Sequence, residues 1–258
     1  MNVIVLGLGA GRTGTASLSH LIGSQHAAVC FHELNPTGVV FQGNPAPILN
    51  TINEFQAILN GGDRRRLSLD YSRPASIATY RQLQQVPAVR MLGDIAYYYL
   101  RYVDDILAIN NDVRFVCIRR DREQTVASWL RKAAIGRWPS LWLADRLKSL
   151  ITRTPFHTSR NFWQEHDGTR YQLDPVWDKT FPKFTATNMT DAVGQYWDWY
   201  YAEADVLAVR HPLHFRIFPI AALSARAGQE EILNFIGVSA PQMVVSEPFH
   251  LHQSTTTD

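Results

Sequence analysis

The chain is short of cysteine, of long apolar runs and of charge of either sign, and no lysine stands where a Walker-type ATPase loop needs one. Only two cysteines occur in 258 residues, and Cys117 lies in an apolar, β-branched run, so a disulfide framework is not indicated. No stretch of about twenty apolar residues is available to span a bilayer. The apolar run at Val3 leaves no room for a charged, apolar and cleavage-site series before it. These absences predict a soluble, reduced, cytoplasmic protein. A net charge of +2 sets up no global field to recruit nucleic acid. Positive charge for an anionic ligand is local instead, at Arg12, Arg119 and Arg120, while Arg64-Arg65-Arg66 reads as a solvated loop. No convincing metal-ligand spacing, internal repeat or low-complexity linker is found. A hydrophobic content of 46% supports one substantial core. One domain, 1–258, is expected, with 133–190 as a cap or insertion within it.

What the chain does contain is alternation. Strands are expected near 2–7, 27–31, 88–92, 113–118 and 214–218. Helices are expected near 14–23, 46–60, 74–84, 97–110, 122–134, 140–151, 190–209 and 228–236. This order implies an α/β fold: three layers, α/β/α, around a mostly parallel sheet, with the ligand at the carboxyl ends of the strands.

Two segments carry the chemistry. In the first, Val3 to Leu6 suits a buried strand, Gly7 to Gly14 is a glycine-rich turn, and Ala16 to Ile22 has helical spacing. Such a turn aims backbone amides and a helix N-terminus at an anion. Arg12, Thr13, Gly14 and Thr15 would supply a guanidinium, amides and a hydroxyl. The frame Gly9 to Gly14 is followed by Thr15-Ala16, which excludes a Walker loop. Gly9-Ala-Gly11-Arg-Thr-Gly14 does satisfy a dinucleotide fingerprint, with Glu33 about twenty residues on to hold a ribose. A Rossmann-like NAD(P)-dependent oxidoreductase is therefore the rival reading.

In the second segment, Val113 to Ile118 is a strand and Thr125 to Lys132 a helix, with Asp121 and Gln124 resembling an N-capping box. Arg120 sits at the strand exit, and Ser128 lies about two helical turns further on. One anion could lie between them.

Together the two segments resemble the sulfotransferases that use 3′-phosphoadenosine 5′-phosphosulfate (PAPS). Arg12-Thr13-Gly14-Thr15 matches the family's 5′-phosphosulfate loop. Arg120 and Ser128, eight positions apart within Arg119-Arg120-Asp121-Arg122 onward, match its 3′-phosphate pair. Gly93-Asp94 before an aromatic helix, and Phe215 to Ile217 before Glu230-Glu231-Ile232-Leu233-Asn234-Phe235-Ile236-Gly237, resemble further family stretches. The resemblance runs from Val3 to about Val238 and leaves 34–90 and 133–190 without clear counterparts. Departures point to a bacterial or carbohydrate-directed branch. Arg12 replaces the usual lysine, Ala16 the second threonine and Ile95 another lysine, and no R-K-G occurs near the C-terminus.

The resemblance implies a PAPS-dependent O-sulfotransferase with a P-loop-like core, PAPS as co-substrate and PAP as product. No metal is required, because the sulfuryl group carries less charge than a phosphoryl group. Arg12 would stabilise the leaving 5′-phosphate, acting by charge and position because arginine keeps its proton. Glu33 is the leading general base. His32 competes on the strength of its ordinary pKa, and strand alternation predicts that only one of the two enters the site. Asp94 is expected to N-cap the following helix, the alternative implied by the resemblance being that it orients the acceptor or a basic residue. A catalytically inactive PAP-binding relative remains a further alternative. The acceptor is a hydroxyl on a carbohydrate or other small molecule. All seven tryptophans fall between Trp129 and Trp199. Trp138, Trp142, Trp163 and Trp177 pack an aromatic-rich excursion, while Trp197, Trp199, Tyr200 and Tyr201 face the core.

Overall fold

Strand β1 (Val3–Leu8) is buried along its whole length, as a continuous apolar run must be when helices cover both faces of a sheet. The structure, a computed structural model, describes residues 2–35, 46–71, 73–135 and 188–245, with single positions 143, 147, 150, 151, 184 and 186. Most of the predicted helix 140–151, the excursion and its four tryptophans lie outside the described residues.

From β1 the chain runs through α1 (Thr15–Gly23), β2 (Ala28–His32), α2 (Ala46–Leu59), α3 (Pro74–Gln85) and β3 (Met91–Ile95). A 3-10 turn (Tyr97–Tyr102) leads into α4 (Val103–Ile109), β4 (Val113–Arg119) and α5 (Arg122–Ile135). The long helix α6 (Met189–Arg210), β5 (Phe215–Pro219) and α7 (Arg226–Phe235) complete the body. The five strands form one sheet in the order β2-β3-β1-β4-β5, with every pairing parallel. The predicted α/β class and mostly parallel sheet are what the chain adopts.

Alternation along β1 divides the core. Ile4, Leu6 and Leu8 join the larger cluster with Phe55 of α2 and Tyr196 and Tyr200 of α6. Val3 and Val5 join the smaller one with Leu18 and Ile22 of α1 and Ile232 and Leu233 of α7. The sheet is thus the middle of three layers. Both cysteines are free and buried, one in each cluster. Burial pushes the Cys117 thiol up to about 12 and the Cys30 thiol higher still, so neither offers a reactive thiolate.

Three expectations need correction. Strand β3 lies at 91–95 and not 88–92, because Arg90 and Met91 are still hydrogen-bonded to the Ala27 carbonyl at the sheet's lower edge. Gly93-Asp94 is therefore inside a strand. A Cβ on Gly93 would stand 2.6 Å from the Val5 carbonyl oxygen and 3.0 Å from Cys30 Sγ, so glycine lets β3 fit between β1 and β2. The helix expected over 97–110 begins as a 3-10 turn, drawn tight by Tyr98 and Tyr99, whose hydroxyls donate back to Asp94 at 3.2 and 2.7 Å. The Arg64 guanidinium, read as solvated, donates to the carbonyls of Leu83, Val86 and Pro87 at 2.6, 2.5 and 3.0 Å and closes the end of α3.

Gly93→Ala should destabilise the chain by about 1–3 kcal/mol, since the contacted backbone oxygen belongs to the sheet and cannot yield. Urea unfolding checks this; an unchanged midpoint would show that β3 has room.

Candidate functional site

Because β1 and β4 are neighbours in register (Leu8 opposite Cys117), the loop after β1 and the turn after β4 leave the sheet side by side, roughly 5 Å apart. That loop holds an unusual backbone. Gly11 and Gly14 have φ of 78° and 87°, and Arg12 between them has φ of 60°. Among the described residues only Arg12, Ala27 and Glu33 are non-glycines with left-handed φ. Two of these three are candidate site residues. A left-handed conformation costs such a residue about 1–2 kcal/mol, so the surrounding packing must enforce it.

Helix α6, joined by Trp129 of α5, does the enforcing. The Gly9 amide donates to the Tyr200 hydroxyl at 3.1 Å, and that hydroxyl donates to the Tyr97 carbonyl at 3.1 Å. The Ala10 amide donates to the Tyr201 hydroxyl at 3.5 Å, which donates to the Ile118 carbonyl at 2.7 Å. Trp197 Nε1 donates to the Arg120 carbonyl at 3.0 Å, and Trp129 Nε1 to the Ala10 carbonyl at 3.2 Å. A Cβ on Gly11 would meet the Trp129 ring at 2.5 Å. Burial raises both tyrosines far above their ordinary pKa, so the hydroxyls keep the protons they donate. One consequence bears on the ligand. The first two loop amides are spoken for, which leaves those from Gly11 onward for an anion. Gly14 is the N-cap of α1 and provides no side-chain cap, so the first-turn amides also point to the loop without a side-chain partner of that kind.

The structure brings Arg12, Arg120 and Ser128 together. Arg12 Nε donates to Ser128 Oγ at 3.1 Å across 116 residues of chain. Arg120 donates to the Arg12 carbonyl at 3.1 Å and through Nε to Gln124 Oε1 at 3.3 Å. Burial, then the charges of Arg131 and Arg12, pull the Arg120 guanidinium below its ordinary pKa. Asp121 caps α5 as expected, accepting from the Gln124 amide at 2.9 Å. The Gln124 side chain turns to Arg120 instead of completing the box. Arg119 stands apart from this cluster, paired with Asp205 at 2.6 Å over the Tyr201 ring. Thr13 is fully buried, with its hydroxyl beside that of Tyr201.

The other half of the site lies two strands away. Since β3 separates β2 from β1, the end of β2 is about 10 Å from the loop. His32 Nε2 lies 3.0 Å from Thr15 Oγ1, at the start of α1. Glu33 follows the strand in a left-handed turn, and its carboxylate accepts from Arg73 at 2.7 Å. Both side chains of this pair are partly exposed, at 28% and 31%. Arg73 was missed because nothing in its sequence neighbourhood marks it; only the fold sets α3 beside β2.

Asp94 caps no helix: the N-cap of the 3-10 turn is Ala96. Its fully buried carboxylate accepts from the Leu34 amide at 3.0 Å and from both tyrosine hydroxyls. It thereby ties down the chain immediately after Glu33. Burial raises its pKa to about 6 against these three donors, which oppose the shift.

No family model matches the sequence, and no curated protein matches it. Among solved structures, the chain is similar to a sulfotransferase from Alicyclobacillus acidocaldarius, at 14% identity and a TM-score of 0.47, covering 97% of this chain and 87% of that one. It is also similar to the sulfotransferase domain from the curacin biosynthetic pathway, at 13% identity and a TM-score of 0.45, covering 93% and 75%. No helix among the described residues is long and apolar enough to cross a membrane. No described group of three or more His, Cys, Asp or Glu residues is placed to hold a metal ion.

Asp94 gives the site a pH signature. Between about pH 4 and 6 the folded chain holds a proton that the unfolded chain, with the ordinary value of 3.8, has released. Stability therefore falls as pH rises through that window and is level above it. Asp94→Asn should remove this fall, so that wild type loses about 2 kcal/mol relative to the variant between about pH 4 and 7. Urea unfolding across that range is the measurement, and parallel pH profiles would show that Asp94 does not titrate there.

Proposed function

We propose that this chain is a PAPS-dependent O-sulfotransferase. The observation that carries the reading is the contact of Arg12 with Ser128, with Arg120 on the Arg12 carbonyl. Two anion motifs recognised separately in sequence meet at one place on the sheet's carboxyl edge. The residues suit a nucleotide with phosphates at two positions: uncapped amides at the start of α1 for one, and Arg120 with Ser128 for the other.

Strand order weighs against the dinucleotide alternative. A Rossmann sheet sets β2 directly beside β1, so that the acid at its end reaches the ribose of a cofactor held by the β1 loop. Here β3 intervenes. Glu33 then stands farther off, where an acceptor could approach, and it is already paired with Arg73.

In the proposed reaction the acceptor hydroxyl attacks sulfur in line, the bond from sulfur to the bridging phosphate oxygen breaks, and the acceptor's proton passes to a base. Arg12 lies between the two ends of the nucleotide. Its amide belongs to the loop and its guanidinium reaches Ser128, so its charge bears on the leaving phosphate as well as on binding. Glu33 is the base, oriented by Arg73 and by the Asp94 anchor at Leu34. His32, held at Thr15, is the competitor. The chemistry calls for no divalent metal. The acceptor is a hydroxyl on a carbohydrate or other small molecule, and the protein works in the cytoplasm.

Arg120→Ala should weaken PAP binding by about 1.5–3 kcal/mol in calorimetry, through loss of a charge-assisted contact. Unchanged affinity would remove Arg120 from the phosphate. Glu33→Gln should leave PAP affinity nearly intact while transfer, followed by mass spectrometry of sulfated products from a cell extract supplied with PAPS, drops roughly a hundredfold. Full activity in Glu33→Gln with loss in His32→Asn would move the proton to the histidine. PAP binding with no sulfated product from any acceptor would favour an inactive binding relative.

A further inference from the structure

Along α5, Gln124, Ser128 and Arg131 follow one another at intervals of four and three residues, which places them on one stripe of the helix. The first two of these already touch the anion cluster: Gln124 holds Arg120 Nε and Ser128 holds Arg12 Nε. Arg131 is the next group on the stripe and is exposed. Arg12 and Arg120 thus meet beside the buried Ser128 hydroxyl, and Arg131 lies one turn further along the same stripe, near enough for its charge to act on Arg120. Among the described residues none of the three has a carboxylate in an ion pair, although nine other such pairs are present. The charge of Arg131 is felt at Arg120 more strongly than that of Arg12, and the nearby Asp121 offsets the two least.

Like charges gathered without counterions raise the energy of the folded chain, and a bound anion lowers it again by an amount that grows with its charge. Two cations at one hydroxyl, with a third a turn along the helix, suit a phosphate monoester, which carries nearly two negative charges at neutral pH and three acceptor oxygens. A phosphodiester or sulfate ester carries only one. We propose that Arg131 is the specificity-determining residue of this subsite: with Arg120, Ser128 and the Arg12 guanidinium it selects a nucleotide ending in a phosphate monoester over the same nucleotide without it. This rests on the sulfotransferase reading and assigns the 3′-phosphate contact to a residue of α5 beyond the Arg120 and Ser128 pair.

The test compares two nucleotides that differ only at that position, PAPS and adenosine 5′-phosphosulfate, by calorimetry without acceptor. Wild type should bind PAPS at least about a hundredfold more tightly. Arg131→Met should lose about tenfold on PAPS and stay within about twofold on adenosine 5′-phosphosulfate, while Arg131→Lys, which keeps the charge, recovers most of the difference. Equal losses on both nucleotides, or no loss on PAPS while wild type still prefers it, would overturn the role of Arg131 alone. If wild type itself does not distinguish the two nucleotides, the sulfotransferase reading falls with it.

Discussion

Parallel pairing of β1 with β4 is the constraint on which the site depends. Their register opposes Leu8 to Cys117, so the glycine-rich loop and the Arg120 turn emerge at the same height on adjacent strands. A shift of one residue would turn Arg120 and the loop to opposite faces. Because the register is locked by two buried faces of the sheet, the cationic cluster is a product of core packing. Its mutual repulsion is carried by the stability of the sheet beneath it, as strain at functional sites generally is.

Helix α6 extends that control into the loop. Its tyrosines Tyr200 and Tyr201 act as hydrogen-bond relays, each accepting from a loop amide and donating to a carbonyl on a different strand exit. Two hydroxyls thereby tie together four backbone groups of three separate segments. The loop is therefore held at Gly9 and Ala10 by helix α6. A similar economy appears at β2, where the Asp94 carboxylate fixes Leu34 while Arg73 fixes Glu33. Each candidate catalytic side chain has a neighbour that sets its position and is itself buried or partly buried.

Legibility followed the range of the interactions involved. The five strands and most helices were readable, since burial on both faces writes continuous apolar runs and amphipathic helices write their period into local sequence. Arg12, Arg120 and Ser128, which the structure brings together, stood out as candidates because a turn with special φ and a strand-to-helix exit constrain residue types within a few positions. Asp94 was misread as a helix cap. Its local surroundings fit that role, and only the insertion of β3 between β1 and β2 buries it. Arg73 carried no local mark at all, and Tyr200 and Tyr201 were marked only as core-facing residues of a helix.

By itself the sequence determined the α/β class, the glycine-rich turn, the strand-to-helix exit and the residues able to bear charge in them, because these depend on interactions within one turn or one strand. The tertiary structure decided which strands are neighbours, and so that Glu33 stands two strands from the loop and that Arg12 meets Ser128. Strand order is set by long-range packing of side chains far apart in the chain, and no local pattern encodes it.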